Sequence, residues 1–190
     1  AEVAGSIAAG KLDNDIKVAS KDETGLLLQA LKDMQQDLNQ RITRDRKIAD
    51  ESMRIKIALD GASTSVMIAD NDRNIVYMNP AVVEMMRKNE RSIQQELANF
   101  RVDALLGGSI DIFHKNPQHQ AQLLSTFTNT YEAQIRIGDR IFDLSANPVI
   151  NEAGERLGAS VEWADVTEQV LAEEQVEKLV QDAVDGDLTN

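Results

Sequence analysis

Between Lys21 and Leu59 apolar residues recur at helical spacing. Leu27, Leu31, Met34 and Leu38 step four, three, four, and Ile48, Ser52, Ile55 and Leu59 repeat the same steps. This is the a/d rhythm of a coiled-coil seam. Arg41 and Asp45 fall on the same phase between the two sets, so charge interrupts the seam in its middle. The stretch contains no proline and one glycine, Gly25. At 1.5 Å rise per residue, about forty residues overshoot a small domain. The pattern predicts one long helix that pairs with a partner at both ends and more loosely between them.

From Gly61 to Thr167 the period shortens. Val66-Met67-Ile68-Ala69 reads as a buried strand, Asp70 to Asn74 as a turn and Ile75-Val76-Tyr77-Met78 as the returning strand of a hairpin. Asn79-Pro80 then opens a helix, with Asn79 as N-cap and Pro80 at the first helical position. Further strands are predicted over Tyr131–Ile137, Arg140–Val149 and Arg156–Asp165, separated by the turns Gly138-Asp139 and Asn151–Glu155. Two strands, helices, then three strands make an α+β domain on one antiparallel sheet. Period two puts Phe142, Leu144 and Ala146 on one face of a strand, and Ala159, Val161 and Trp163 on one face of the next, with Asp143 and Glu162 outward. After Thr167, Ala172, Val176, Leu179 and Ala183 return to helical spacing. Met67, Met78, Met85 and Met86 read as core packing.

Composition narrows the chemistry. The 190 residues carry 20 Lys+Arg against 32 Asp+Glu, a net charge of −12, and no cysteine. That removes disulfides, thiolate catalysis and cysteine-held metal centres. The acidity argues against duplex DNA as a partner, because affinity for phosphates comes from Lys and Arg. No stretch approaches the about 18–20 apolar residues of a membrane span, and the start lacks a basic region leading into an apolar one. The expectation is a soluble, cytoplasmic piece cut from something longer. No enzymatic constellation is found either: Gly107-Gly108 lacks the following Lys-Ser/Thr of a phosphate loop, and the carboxylates sit at turns and helix surfaces.

Short motifs carry two resemblances. Gly10-Lys11-Leu12, followed by Asp22-Glu23-Thr24-Gly25-Leu26 leading into the first heptad set, resembles a HAMP domain, a parallel dimeric four-helix bundle that relays signals along receptors. Asp185-Gly186-Asp187-Leu188 near the end is similar to the segment around Gly10-Lys11-Leu12 and would start another such module. The middle resembles a PAS domain: Ala69-Asp70, then Ile75 to Ala81, is the usual opening, and Trp163-Ala164-Asp165-Val166-Thr167 matches the Asp-x-Thr motif that joins the last strand to an output helix. The resemblance implies a five-stranded antiparallel sheet with helices on one side, flanked by long coiled-coil helices. It divides the chain into the end of a HAMP domain over 1–43, a connecting helix over 44–59, a PAS sensor over 60–167, and an output helix with the start of a following HAMP domain over 168–190.

A narrower match lies in Phe113-His114-Lys115-Asn116-Pro117-Gln118-His119-Gln120. It resembles a stretch of chemoreceptor PAS domains, among them the haem-b PAS domain of soluble aerotaxis-type oxygen receptors. The resemblance implies His114 as axial ligand of the haem iron, His119 as the second histidine of the stretch, Leu144 as lining of the distal pocket, and Trp163 as the indole donor to bound oxygen. Asp165 and Thr167 would couple the signal to the output helix. The chain holds only two histidines, so a histidine ligand is either His114 or His119. Haem needs a neutral imidazole on one side and, for oxygen sensing, an apolar distal pocket with a placed donor; Trp163, the single tryptophan, is a donor without acceptor or charge. The expected function is a haem-based sensor of oxygen, or of CO or NO, that acts without catalysis as a homodimer on a downstream chemoreceptor signalling domain and kinase, with neither nucleic acid nor membrane as partner. The alternatives are a haem-free PAS module for dimerisation or small-metabolite binding, and a regulator of a cyclase or kinase.

Overall fold

The computed structural model describes residues 2–113 and 127–184. The chain divides into two compact units, one ending at Ile57 and the other starting at Ala58.

In the first unit a short helix α1 (Glu2–Ala8) is followed by an extended connector and by the start of α2 (Glu23–Asp60). The connector is held by amides. Asn14 donates to Gln35 Oε1 at 2.9 Å, Gln35 donates back to the Asn14 carbonyl at 2.9 Å, and Asn39 donates to the Leu12 carbonyl at 2.7 Å. Ile7 of α1 and Ile16 of the connector are buried. Asp22 caps α2 by accepting the amides of Thr24 and Gly25. Gly25 is required there because a Cβ would run into the Ser20 carbonyl. The heptad positions Leu27, Met34, Ile48 and Ile55 stand exposed in the single chain, as a seam that awaits a partner does.

The second unit carries β1 (Ser65–Asp70), β2 (Ile75–Met78), α3 (Pro80–Ile93), 3-10 turns at Val102–Ala104 and Ile110–Phe113, β3 (Tyr131–Ile137), β4 (Arg140–Ile150), β5 (Arg156–Asp165) and α4 (Thr167–Val184). The strands form one antiparallel sheet in the order β2-β1-β5-β4-β3. The predicted strands and the Asn79 cap agree with it to within a residue or two at the ends. The last strand thus sits at the sheet centre, between β1 and β4, where a shift reaches both neighbours.

Alternation sets which face is inside. Met67 and Ala69 of β1, Phe142 and Ala146 of β4, and Ala159 and Trp163 of β5 are buried. They meet α3, whose buried positions 82, 86, 89 and 93 repeat at helical spacing. Val82, Met86 and Ile93 are fully buried, each contributing about 1.5–3 kcal/mol. Met67 and Met86 lie in this core and Met78 and Met85 pack against it, as the sequence suggested. Gly158 lets β5 approach β1: its φ is +147° and a Cβ would meet the Ala69 carbonyl.

Candidate functional site

The inner wall of β4 and β5 brings together the residues of the Trp-bearing strand and its neighbour. The register sets Leu144 opposite Trp163, Ala146 opposite Val161 and Phe142 opposite Asp165. Trp163 is 6% exposed, and its ring lies 5.0 Å from that of Phe113 and 5.8 Å from that of Phe142. Phe113 in turn tilts against Phe100 at 5.6 Å. The indole Nε1–H of Trp163 is buried and has no acceptor among the described residues. An unsatisfied buried donor costs about 1–3 kcal/mol, which the packing around the indole must offset. Leu144 and Val161, half-buried against the same core, keep the surroundings apolar.

The opposite face differs. A cleft of about 510 Å3 borders Leu144 and Trp163 but is lined by the outward-facing Glu132, Gln134, Asp143 and Glu162. Gln134 spans it by donating to Asp143 at 2.9 Å. This carboxylate-rich surface is unlike the apolar wall behind it.

Three residues after Trp163 the sheet turns into α4. Asp165 Oδ1 accepts the Thr167 amide at 3.1 Å and the Thr167 hydroxyl at 2.6 Å. The same hydroxyl oxygen accepts the Ile141 amide at 2.9 Å, and the Val166 amide donates to the Ile141 carbonyl at 3.0 Å. Thr167, 5% exposed, therefore joins α4 to β4 through its own side chain. Burial acts to raise the Asp165 pKa. The hydroxyl and amide of Thr167, a hydrogen bond from Asn89 and the charge of Arg140 outweigh it and hold the carboxyl below its ordinary value.

Asn89 is a member of this junction that sequence reasoning missed. It is buried on α3 and donates to Asp165 Oδ2 at 2.9 Å. Its signal was present: within the stripe 82, 86, 89, 93 it is the one polar residue at a position built for an apolar one. Arg73 is a second such residue. At the β1–β2 turn it takes φ +67° and grips Asp111 through Nε at 3.0 Å and Nη2 at 3.2 Å, while its carbonyl accepts the Ile110 amide at 3.0 Å. The fork fixes the turn Ile110–Phe113, and with it Phe113 beneath Trp163. His114 and His119 lie outside the described residues, as does the repeat of the N-terminal motif over 185–190. Among the described residues no group of three or more His, Asp or Glu is placed to hold a metal ion, and no helix is long and apolar enough to cross a membrane.

Comparison with known proteins agrees with this geometry. A HAMP domain model matches residues 1–40 and a PAS domain model residues 53–118. The chain is 50% identical over 136 residues to the methyl-accepting chemotaxis protein McpB of Pseudomonas aeruginosa, a match that covers 72% of this chain and 20% of that protein. It therefore spans about a fifth of the length of this curated relative. The Aer2 receptor of Vibrio cholerae, described as a dual PAS-heme oxygen sensor, has a solved structure similar to this one: TM-score 0.50 and 31% identity over 55% of this chain and 95% of that one. The chain belongs to the PAS family, carries a HAMP domain ahead of its PAS domain, and is homologous to a methyl-accepting chemotaxis protein.

Proposed function

We propose that this chain is the haem-based gas-sensing segment of a chemoreceptor, and that it signals by moving a helix without covalent chemistry. The observation that carries the reading is the buried Trp163 indole N–H, which has no acceptor among the described residues and stands opposite Leu144 on an apolar wall. The residues present fit the distal half of a haem pocket, which asks for an apolar lining with one placed donor. His114 would hold the iron, with His119 as the other histidine of the stretch. Haem b, when bound, supplies a site for a diatomic gas such as oxygen, CO or NO.

The chain's own residues do the rest. Trp163 offers its N–H to a polar atom that enters the interior, at the expense of its packing on Phe113 and Phe142. Asp165, two residues further along β5, carries a displacement of that strand to Thr167, whose hydroxyl links α4 to β4. The exposed heptad positions of α2, and the apolar positions Val176 and Leu179 of α4, supply a homodimer seam. The helices would thereby bias flanking HAMP modules between two packings, a population shift in a bistable element. In this layout residues 1–43 end one HAMP module, 44–59 connect it, 60–167 sense, and the segment from 168 leads into the next module. A cytoplasmic signalling domain and its kinase would lie downstream.

The close ring packing on Trp163 favours a second reading, a PAS module whose interior is filled by its own aromatics and which serves dimerisation or a small metabolite. Absorption spectra after expression with added haem separate the two. The sensor reading expects a red protein whose Soret band is lost or altered in His114→Ala and kept in His119→Ala. A colourless protein, or an unchanged band in His114→Ala, overturns it.

A further inference from the structure

Two buried asparagines clamp the ends of one helix to the entrance and the exit of the PAS domain. Asn79, fully buried, makes four hydrogen bonds: Nδ2 donates to the Leu59 carbonyl at 3.1 Å and the Thr64 carbonyl at 2.8 Å, and Oδ1 accepts from Val66 N at 2.9 Å and Val82 N at 3.0 Å. Leu59 belongs to the last turn of α2, so this amide ties the incoming helix to the N-terminus of α3. Asn89, 1% exposed, divides its Nδ2 between the Met85 carbonyl at 3.0 Å and Asp165 Oδ2 at 2.9 Å. Its Oδ1 is buried with no partner among the described residues. An orphaned buried oxygen costs about 1–3 kcal/mol, so what keeps a polar side chain at this core position is its donation to the Asp165 carboxylate. Its remaining reach is towards the carboxylate that caps the outgoing helix.

Ten helical steps separate the two asparagines, about 15 Å at 1.5 Å per residue. A helix of this length, packed along its buried stripe, moves as a unit in a close-packed core. We infer that α3 is a strut, with Asn79 and Asn89 as its positioning residues, through which the state of α2 reaches the Asp165–Thr167 junction and α4 without passing through the Trp163 wall. The PAS domain would then pass on the signal of an upstream module even with no pocket ligand. A helix displacement at Leu59 and a gas at the wall would be summed at Asp165. This inference does not rest on haem.

Hydrogen exchange on the cofactor-free chain tests it. Asn79→Ser keeps a hydroxyl to cap α3 but is too short to reach Leu59. It is expected to speed exchange of the α4 amides 167–172 about threefold or more, the low end of coupling between residues in one network. In an Asn89→Leu background, where the far clamp is gone, the same substitution is expected to leave those amides unchanged, with β3 unaffected throughout. An equal effect in both backgrounds, or no effect at α4, overturns the strut. Coupling is reciprocal, so Asn89→Leu read at amides 59–66 gives an independent arm should Asn79→Ser fold poorly: about threefold faster exchange supports the strut and unchanged exchange overturns it.

Discussion

Thr167→Val isolates the strand–helix junction, because valine has the shape of threonine without its hydroxyl. Thr167 is 5% exposed, so the substitution leaves no cavity and adds no surface. Two interactions go. The Ile141 amide, which donates to the hydroxyl oxygen at 2.9 Å, loses its acceptor in a site where Ile141 is itself buried; an orphaned buried amide costs about 1–3 kcal/mol. Asp165 loses the 2.6 Å hydrogen bond from the hydroxyl, and a bond to a charged group is worth about 1.5–3 kcal/mol. The two share one oxygen and do not add fully, and the added methyl is favourable in an apolar site. The net expectation is about 3 kcal/mol, a large part of the about 5–15 kcal/mol that holds a domain together. Urea unfolding followed by circular dichroism reads it as a lower midpoint at unchanged slope. Thr167→Ser, which keeps the hydroxyl, should recover most of the loss. A cost below about 1 kcal/mol for valine, or serine as damaging as valine, would refute the hydroxyl's role as the link between α4 and β4.

Three further outcomes test this junction, the Arg73 turn and the helical seam. The Asp165 carboxyl is held below its ordinary value in the folded state, so its stabilisation is present above the unfolded pKa of about 3.9 and lost as pH falls through the lower folded value; Asp165→Asn should flatten that acid limb of stability against pH, and an unchanged limb counts against it. Arg73→Gly loses the Asp111 fork but relaxes the φ +67° backbone, whereas Arg73→Ala loses the fork and keeps the strain; alanine should unfold at lower urea by the equivalent of about 1 kcal/mol, and equal midpoints would remove the strain argument. Leu27→Asp alters a residue 61% exposed in the single chain, so sedimentation should show weakened dimers with the monomer's melting unchanged, and unaltered association would place the seam elsewhere.

Much of this was legible in the sequence because periodicity and turn chemistry are local. The change from helical spacing before Leu59 to alternation after Val66 marks the passage from α2 into the sheet, and Asn79-Pro80 marks the start of α3 as a cap does. The alternation of Phe142, Leu144, Ala146 and of Ala159, Val161, Trp163 put the right side chains inward. What local patterns do not carry is partnership across the fold. Nothing within a few residues of Asn89 points to Asp165, 76 positions away, and nothing near Arg73 points to Asp111. The Asp-x-Thr motif pointed to Asp165 at the strand–helix joint. Its bond to α3 and the dual use of the Thr167 hydroxyl depend on β4 and α3 meeting at that corner.

On the proposed sensor reading, the Trp163 indole N–H is the donor kept for a gas. The most direct measurement is the oxygen dissociation rate of the ferrous, haem-loaded protein in wild type and in Trp163→Phe. Losing a buried hydrogen bond of about 1.4–3 kcal/mol should speed oxygen release by about tenfold to a hundredfold, with carbon monoxide release, which depends less on a donor, changed far less. An oxygen rate in Trp163→Phe within twofold of wild type would contradict the claim.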